Sequence, residues 1–329
     1  MTMQVGTAFG QFQTIVNADP ASVAEGRRRR NLFRDAFTPL PDVVEVIASG
    51  SLARATQLDP IHDVDLIVVF APDEHPGWGA AGDSARDALT YVAKSVMLML
   101  GVTNGTAATE VRLTSRRNHV VKCFLDDPKA ENPFAVEVAA ALRQPDGSLL
   151  LPERHNSRWI TADPEYLITQ VTERQEAWPD FVPLVRVLKW WRKNSAGLDM
   201  KSLAMEVLVL RCLPMLDTRA AALAQFFTAA ASEVMYGVFD PAGHCGEIQP
   251  DLDREAARRA LLDAADLASQ ALDAEAALDA DKAVALWAQV FGAEFPQPPS
   301  RAQSADKLAS AVATSLVAPR RRIRDIPQG

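Results

Sequence analysis

Residues 43–70 read VVEVIASGSLARATQLDPIHDVDLIVVF, and this stretch decides the fold. Asp42 to Ala48 is largely apolar and β-branched, which predicts a buried strand. It runs into Gly50-Ser51, a turn signal, and Ser51 onward opens a short helix. Eleven residues further on, a second strand begins with Asp63-Val64-Asp65 and continues as LIVVF. Strand side chains alternate, so Asp63 and Asp65 share one face while Val64 points into the core. Two neighbouring carboxylates on a buried strand repel each other and are costly to desolvate. A divalent cation relieves both costs. Oxygen ligands beside a triphosphate suit Mg²⁺, with Mn²⁺ as the alternative. The competing reading is a solvated acidic strand end.

The turn before the carboxylates has its own logic. Glycine at position 50 lets the backbone approach a phosphate closely. Ser51 offers a hydroxyl and a backbone N–H where a helix starts. Two-metal phosphoryl chemistry places ions about 3.5–4 Å apart between carboxylates, so a third acid is expected on a neighbouring strand. Glu137 in PFAVEVAAAL is the candidate, because a charged residue in so apolar a run needs a partner. Its alternative is an edge-strand glutamate facing water. Asp126 and Asp127 compete for the role from a turn.

The chain has 329 residues, enough for one large domain or two ordinary ones. With 48% hydrophobic and 23% charged residues it has the composition of a globular protein. A net charge of -8 argues against coating long nucleic acid. Three cysteines give no disulfide framework, and a reducing cytoplasm suits them. No charged-then-apolar leader pattern opens the chain, so no secretory signal is expected. The most apolar helical stretch, around residues 93–100, is too short to span a bilayer.

Strands and flanking helices alternate through the first half, giving an α+β class. Helices are expected over 18–37 and 84–100, and β-runs over 108–113, 120–125 and 134–139. From Asp163 onward the pattern is helical: 164–177, 181–195, 200–213, 218–232, 252–277 and 280–291. Asp163-Pro164-Glu165 is a helix start. The expected domains are therefore residues 1–162, a helical unit over 163–296, and a mobile tail over 297–329.

In the helical half, Lys189 lies on an apolar turn of VRVLKWWRKN, and Ser202 opens the next helix in MKSLAMEVLVL. Together they could clamp a triphosphate, or Lys189 could be an ordinary surface lysine. Trp190 and Trp191 read as core or interface. His244-Cys245 resembles half a metal site without a second half. His62 reads as structural, and Arg27 to Arg30 as a solvated basic face.

These segments, in this order, resemble the DNA polymerase β-like nucleotidyltransferases. More narrowly, they resemble the bacterial CD-NTases, cyclic-oligonucleotide synthases related to cyclic GMP-AMP synthase. The resemblance covers most of residues 40–296. GSLARATQLDPIHDVDL (50–66) is similar to the family's GS-x-x-R-x-T…DhDh segment, where h is apolar, and FAVEVAAAL sits where its third acid strand belongs. LPERHNSRWITADPEYLI (151–168) is similar to its linker into the helical half. LVRVLKWWRKN (184–194) and KSLAMEVLVL (201–210) are similar to its paired helices. VFDPAGHCGE (238–247) and LWAQVFGAEFP (286–296) are similar to its closing segments. One departure is that the third acid, usually aspartate, is Glu137 here.

The resemblance implies a polymerase β-like nucleotidyltransferase core sheet with flanking helices, plus a C-terminal helical domain closing a nucleoside triphosphate cleft. It implies that Asp63, Asp65 and Glu137 hold Mg²⁺ and carry catalysis. Gly50, Ser51, Lys189 and Ser202 would hold the donor phosphates. The implied activity is template-independent synthesis of a cyclic di- or trinucleotide in cytoplasmic antiphage signalling. Alternatives are nucleotidyl transfer to an RNA end or another acceptor, and a non-catalytic nucleotide-binding module. The sequence ends in DIPQG, and the resemblance offers Gly329 as an attachment point for operon-encoded conjugating or activating proteins, against an ordinary ragged terminus.

Overall fold

In the computed structural model the described residues are 3–101, 111–131 and 133–298. Among them the elements run α1 (Val5–Val16), α2 (Pro20–Phe37), β1 (Val43–Ser49), α3 (Gly50–Ala53), β2 (Asp63–Phe70), α4 (Ser84–Leu100), β3 (Leu113–Arg116), β4 (Val121–Phe124), β5 (Ala135–Arg143), β6 (Leu149–Glu153), β7 (Arg158–Ala162), α5 (Pro164–Ala177), α6 (Phe181–Asn194), α7 (Ser202–Cys212), α8 (Arg219–Glu233), α9 (Arg254–Ala276) and α10 (Ala280–Phe291). The α+β class and the helical second half stand as expected.

The sheet order is β1-β2-β5-β4-β3, with β6 added to β5 and β7 to β6. β2 and β5 pair in parallel, and the other pairs are antiparallel. A parallel pair needs a long crossover, and the chain between β2 and β5, including α4 and the β3–β4 pair, supplies it. β5 is the centre. Its first half is flanked by β2 and β4, and its last two residues, Leu142 and Arg143, pair with β6.

Alternation divides the sheet into two unlike faces. Val64, Leu66, Val68 and Phe70 of β2 pack with Val136 and Val138 of β5 beneath α2 and α4, where Phe33, Phe37, Leu89 and Val92 are fully buried. The opposite face carries a smaller cluster, with Ile67, Val69, Ala139 and Ala141 at its centre. Asp63 and Asp65 belong to that thinner face by the same alternation.

A second core is built from α5 to α10 together with α1. In α1 the residues Val5, Ala8, Phe9, Phe12 and Val16 are buried, a helical spacing. Phe9 meets Trp287 edge-on at 5.1 Å and Phe295 at 5.2 Å, and Phe12 lies 5.2 Å from Phe291. The expected domain division at 162/163 is therefore amended. α1 packs with the helical unit, because its apolar stripe matches the aromatic face of α10.

Two further expectations are corrected. Residues 149–162 form the β6–β7 hairpin rather than a bare linker, and LLLPE and RWITA extend the sheet. The run placed at 108–113 is seen as Leu113–Arg116, with residues before 111 outside the described part. The tail from 299 onward, with Gly329, also lies outside it. Trp191 is buried in the helical core, as expected of it.

Replacing Phe9 by Ala should destabilise the fold by about 3–5 kcal/mol, the cost of an emptied aromatic site. Urea unfolding followed by tryptophan fluorescence would measure it. A loss below about 1 kcal/mol would mean that α1 contributes little to the helical core.

Candidate active site

Ser49 closes β1, and Gly50 and Ser51 open α3 directly over β2. Gly50 adopts φ +71°, which favours glycine. A Cβ there would lie 1.6 Å from Oδ2 of Asp65, so the Asp65 carboxylate occupies the space that a side chain would need. The turn and the carboxylate thus require each other.

Asp65 stands opposite Glu137 in the parallel β2–β5 register, and Asp63 opens the same strand two residues earlier. The three expected acids are therefore on adjacent strands. Burial, then the charges of Asp63 and Glu137, push the Asp65 carboxyl up to about 7. Burial and Glu137 also raise Asp63, against an opposing pull from Lys122. Lys122 of β4 is paired with Glu137 in register. Its Nζ donates to Glu137 Oε1 at 2.9 Å and lies 3.8 Å from Asp63 Oδ2. Among the described residues, no three His, Cys, Asp or Glu side chains are grouped as an ion would need them. The donor chemistry nevertheless fits a hard divalent cation. Asp63 and Asp65 offer carboxylate oxygens from one face, and the third acid is one strand away, held by an ammonium.

A cavity of about 500 Å³ lies between the sheet and the helical unit. Gly50, Ser51, Asp63 and Asp65 line one wall, and Lys189 and Ser202 the other, with apolar surface from Leu167, Val207 and Ile248. Glu137 is not among its lining residues. A second cavity of about 320 Å³ adjoins it through Ser51, Asp63, Lys189 and Ser202, and adds Arg192 and Lys193. Six of the seven expected site residues thus meet in one cleft.

Lys189 is buried rather than free. Its Nζ donates to the Thr56 carbonyl at 2.8 Å and lies 3.4 Å from Glu206 Oε2. Glu206, 1% exposed, also accepts from Arg54 Nε at 2.6 Å and from the Thr56 hydroxyl at 3.0 Å. Burial alone would raise the Glu206 carboxyl, but Arg54 and Lys189 outweigh it and hold the group below the usual range. Burial pulls the Lys189 ammonium below its usual range, with Glu206 opposing that pull. The network joins the residues after α3 to α6 and α7 across the cleft. Arg186 of α6 adds a bond to the Ala55 carbonyl at 2.9 Å.

Asp126 and Asp127 have partners of their own, whereas His62 lines the second cavity beside Asp63. Asp126 is paired with Arg29 at 2.8 Å, which gives one arginine of the basic run a structural task. Asp127 accepts from the Lys129 backbone N–H in a turn. Cys245 lines the larger cavity, donating through Sγ to the Thr161 carbonyl at 3.1 Å. Lys122 and Glu206 were not anticipated, and Arg54 and Thr56 entered only as letters of a motif. A signal existed for the first two, since each is a single charge in an apolar run, VVKCF and LAMEVLVL.

No family model matches the chain. Among curated proteins, a cyclic AMP-AMP-AMP synthase of Acinetobacter is 26% identical over 52% of this chain, and the chain spans about half (54%) of that relative. A cyclic AMP-AMP-GMP synthase of Enterobacter hormaechei is 23% identical over 82% of this chain and 79% of its own length. A probable synthase of the same product from Salmonella paratyphi B is 24% identical over 90% and 93%. Among solved structures, Escherichia coli CdnC with ATP superposes with a TM-score of 0.66 at 18% identity, over 89% of this chain and 99% of that one. Vibrio cholerae DncV with 3'-deoxy ATP gives 0.54 at 15%, over 77% and 69%. The chain has the fold of the CD-NTases, and the likeness read from its sequence is borne out.

Glu206→Gln should cost about 3–5 kcal/mol in urea unfolding, because it leaves two buried cations short of their counter-charge. A change under about 1 kcal/mol would show that this network does not hold the two units. In metal-free buffer, the Asp65 carboxyl lowers stability as pH rises from about 4 through about 7, since its folded pKa is raised. Asp65→Asn should match the parent's melting temperature near pH 4, exceed it increasingly as pH rises towards 7, and hold a level advantage above that. A gap that stays constant between about pH 4 and pH 7 would contradict this.

Proposed function

We propose that this chain is a magnesium-dependent, template-independent nucleotidyltransferase that joins nucleoside triphosphates into a cyclic di- or trinucleotide. The observation that carries this reading is the convergence of Gly50, Ser51, Asp63, Asp65, Lys189 and Ser202 on one cavity of about 500 Å³, with Glu137 beside it. The activities of the curated relatives, two cyclic trinucleotide synthases and one probable one, support the same class of product.

Asp63 and Asp65, joined by Glu137, would hold the ions, and Mn²⁺ is the alternative metal. When bound, such ions neutralise charge developing on the α-phosphate and the leaving pyrophosphate. The chain's own groups do the rest. The Ser51 and Ser202 hydroxyls donate to phosphate oxygens from opposite walls. Arg192 and Lys193 in the adjoining cavity draw the polyphosphate to that end. The apolar surface of Leu167, Val207 and Ile248 excludes water and packs a base. A ribose hydroxyl oxygen of the acceptor attacks the α-phosphorus, its proton passes to Glu137, and the bond to pyrophosphate breaks. A second transfer within the linear product closes the ring.

The net charge of -8 favours free nucleotides over a long RNA acceptor, which would need a cationic track. We place the protein in the cytoplasm, in antiphage signalling, on the strength of the family likeness and of three unpaired cysteines. No described helix is long and apolar enough to cross a membrane. One neighbour of the same fold is known in complex with a HORMA partner, and a protein partner is proposed here too.

Purified protein given all four labelled nucleoside triphosphates with Mg²⁺ should yield a phosphatase-resistant product, identified by mass spectrometry. Asp63→Asn should lower the rate by at least about a hundredfold, because charge stabilisation by a metal is worth several kcal/mol. Absence of product with both Mg²⁺ and Mn²⁺, across all nucleotide pairs, would overturn the catalytic reading.

A further inference from the structure

We infer that Lys122 is the resident counter-cation of the acidic cluster, and that a divalent ion binds by displacing its ammonium from Glu137. This rests on the reading of Asp63, Asp65 and Glu137 as a metal site, and goes beyond it to what sets that site's affinity.

The backbone leaves Lys122 little choice of face. Its neighbours Val121 and Cys123 are fully buried on the helix-covered side of the sheet, so alternation turns Lys122 to the carboxylate side. The register sets it directly opposite Glu137, itself opposite Asp65. Its Nζ contacts Glu137 at 2.9 Å and reaches Asp63 at 3.8 Å, so one ammonium lies between the third acid and the first. That is where a cation shared by the two strands would belong. The charges also favour exchange. Three carboxylates and one ammonium leave a deficit of two positive charges, and the site without Lys122 has a deficit of three.

A divalent ion held by Glu137 would take up the carboxylate oxygen that Lys122 now contacts. An ammonium on the same group would then repel it at close range. Lys122 has a flexible four-carbon stem and is 22% exposed, so it can withdraw to solvent. Metal loading is therefore a replacement of one cation by another. The lysine weakens metal binding while protecting the metal-free fold from its own repulsion.

The test uses Mn²⁺ as the probe on the full chain without nucleotide, with free Mn²⁺ followed by electron paramagnetic resonance at pH 7.5. Lys122→Met should bind Mn²⁺ about tenfold more tightly than the parent or better. Lys122→Gln, which keeps a donor for Glu137 but no charge, should follow it, and Lys122→Arg should stay near the parent. Without metal, the uncharged variants should melt below the parent and recover more on adding Mn²⁺. Parent-like or weaker Mn²⁺ binding in a folded uncharged variant, with binding lost in Asp63→Asn, would overturn this proposal alone. Unchanged binding in Asp63→Asn would overturn the metal reading and the proposal with it.

Discussion

Repulsion among Asp63, Asp65 and Glu137 sets the terms for everything around them. Parallel pairing of β2 with β5 brings like charges side by side, and burial withdraws Asp65 in particular from the water that would screen it. The surroundings answer in several ways. A glycine leaves room for the Asp65 carboxylate. A lysine on the next strand faces the third acid. The face that carries the acids packs only a small apolar cluster and opens onto a cavity, whereas the opposite face is covered by two helices. A sheet built only for stability would not place three acids here, and the cost is the reason to look for chemistry at this point.

The second wall of the cleft is held by a buried ion cluster. Arg54 and Thr56 reach from the sheet side, Lys189 and Glu206 from the helices, and all four are nearly withdrawn from solvent. A buried ion pair of this kind contributes modestly to stability compared with apolar packing, and its use lies in fixing one arrangement. Here it fixes how far the helical wall stands from the carboxylates. Lys189 therefore acts as part of a charged surface and not as a lone reaching arm.

Much of this was legible in the residues. The continuous apolar run after Asp63 gave β2, and the shared face of its two acids followed because alternation is a local property of strands. The helices from Pro164 to Phe291 were legible to within a residue or two, since capping residues and apolar spacing mark them. The β6–β7 hairpin was not. LLLPE and RWITA are short, carry proline and charge, and become strands only by pairing with β5 and each other. Helix α1 had its spacing in plain view, at residues 5, 8, 9, 12 and 16, but nothing local says that its partner lies near residue 290. The partners of Lys189 and Glu137 were hidden for the same reason. A charge in an apolar run announces that it needs a counter-charge without saying which one.

The clasp of α1 against α10 and Phe295 carries a consequence for biogenesis. On the ribosome, residues 5–16 emerge long before residues 280–295, so the aromatic seam between them is among the last contacts to form. Until synthesis reaches it, Phe9 and Phe12 remain uncovered and open to chaperones or to sticking. Loops of such span close slowly, and the nascent chain spends that interval with its sheet able to form and its helical body unfinished. A cleft with both of its walls in place would then arrive late, only once residues 280–295 have emerged.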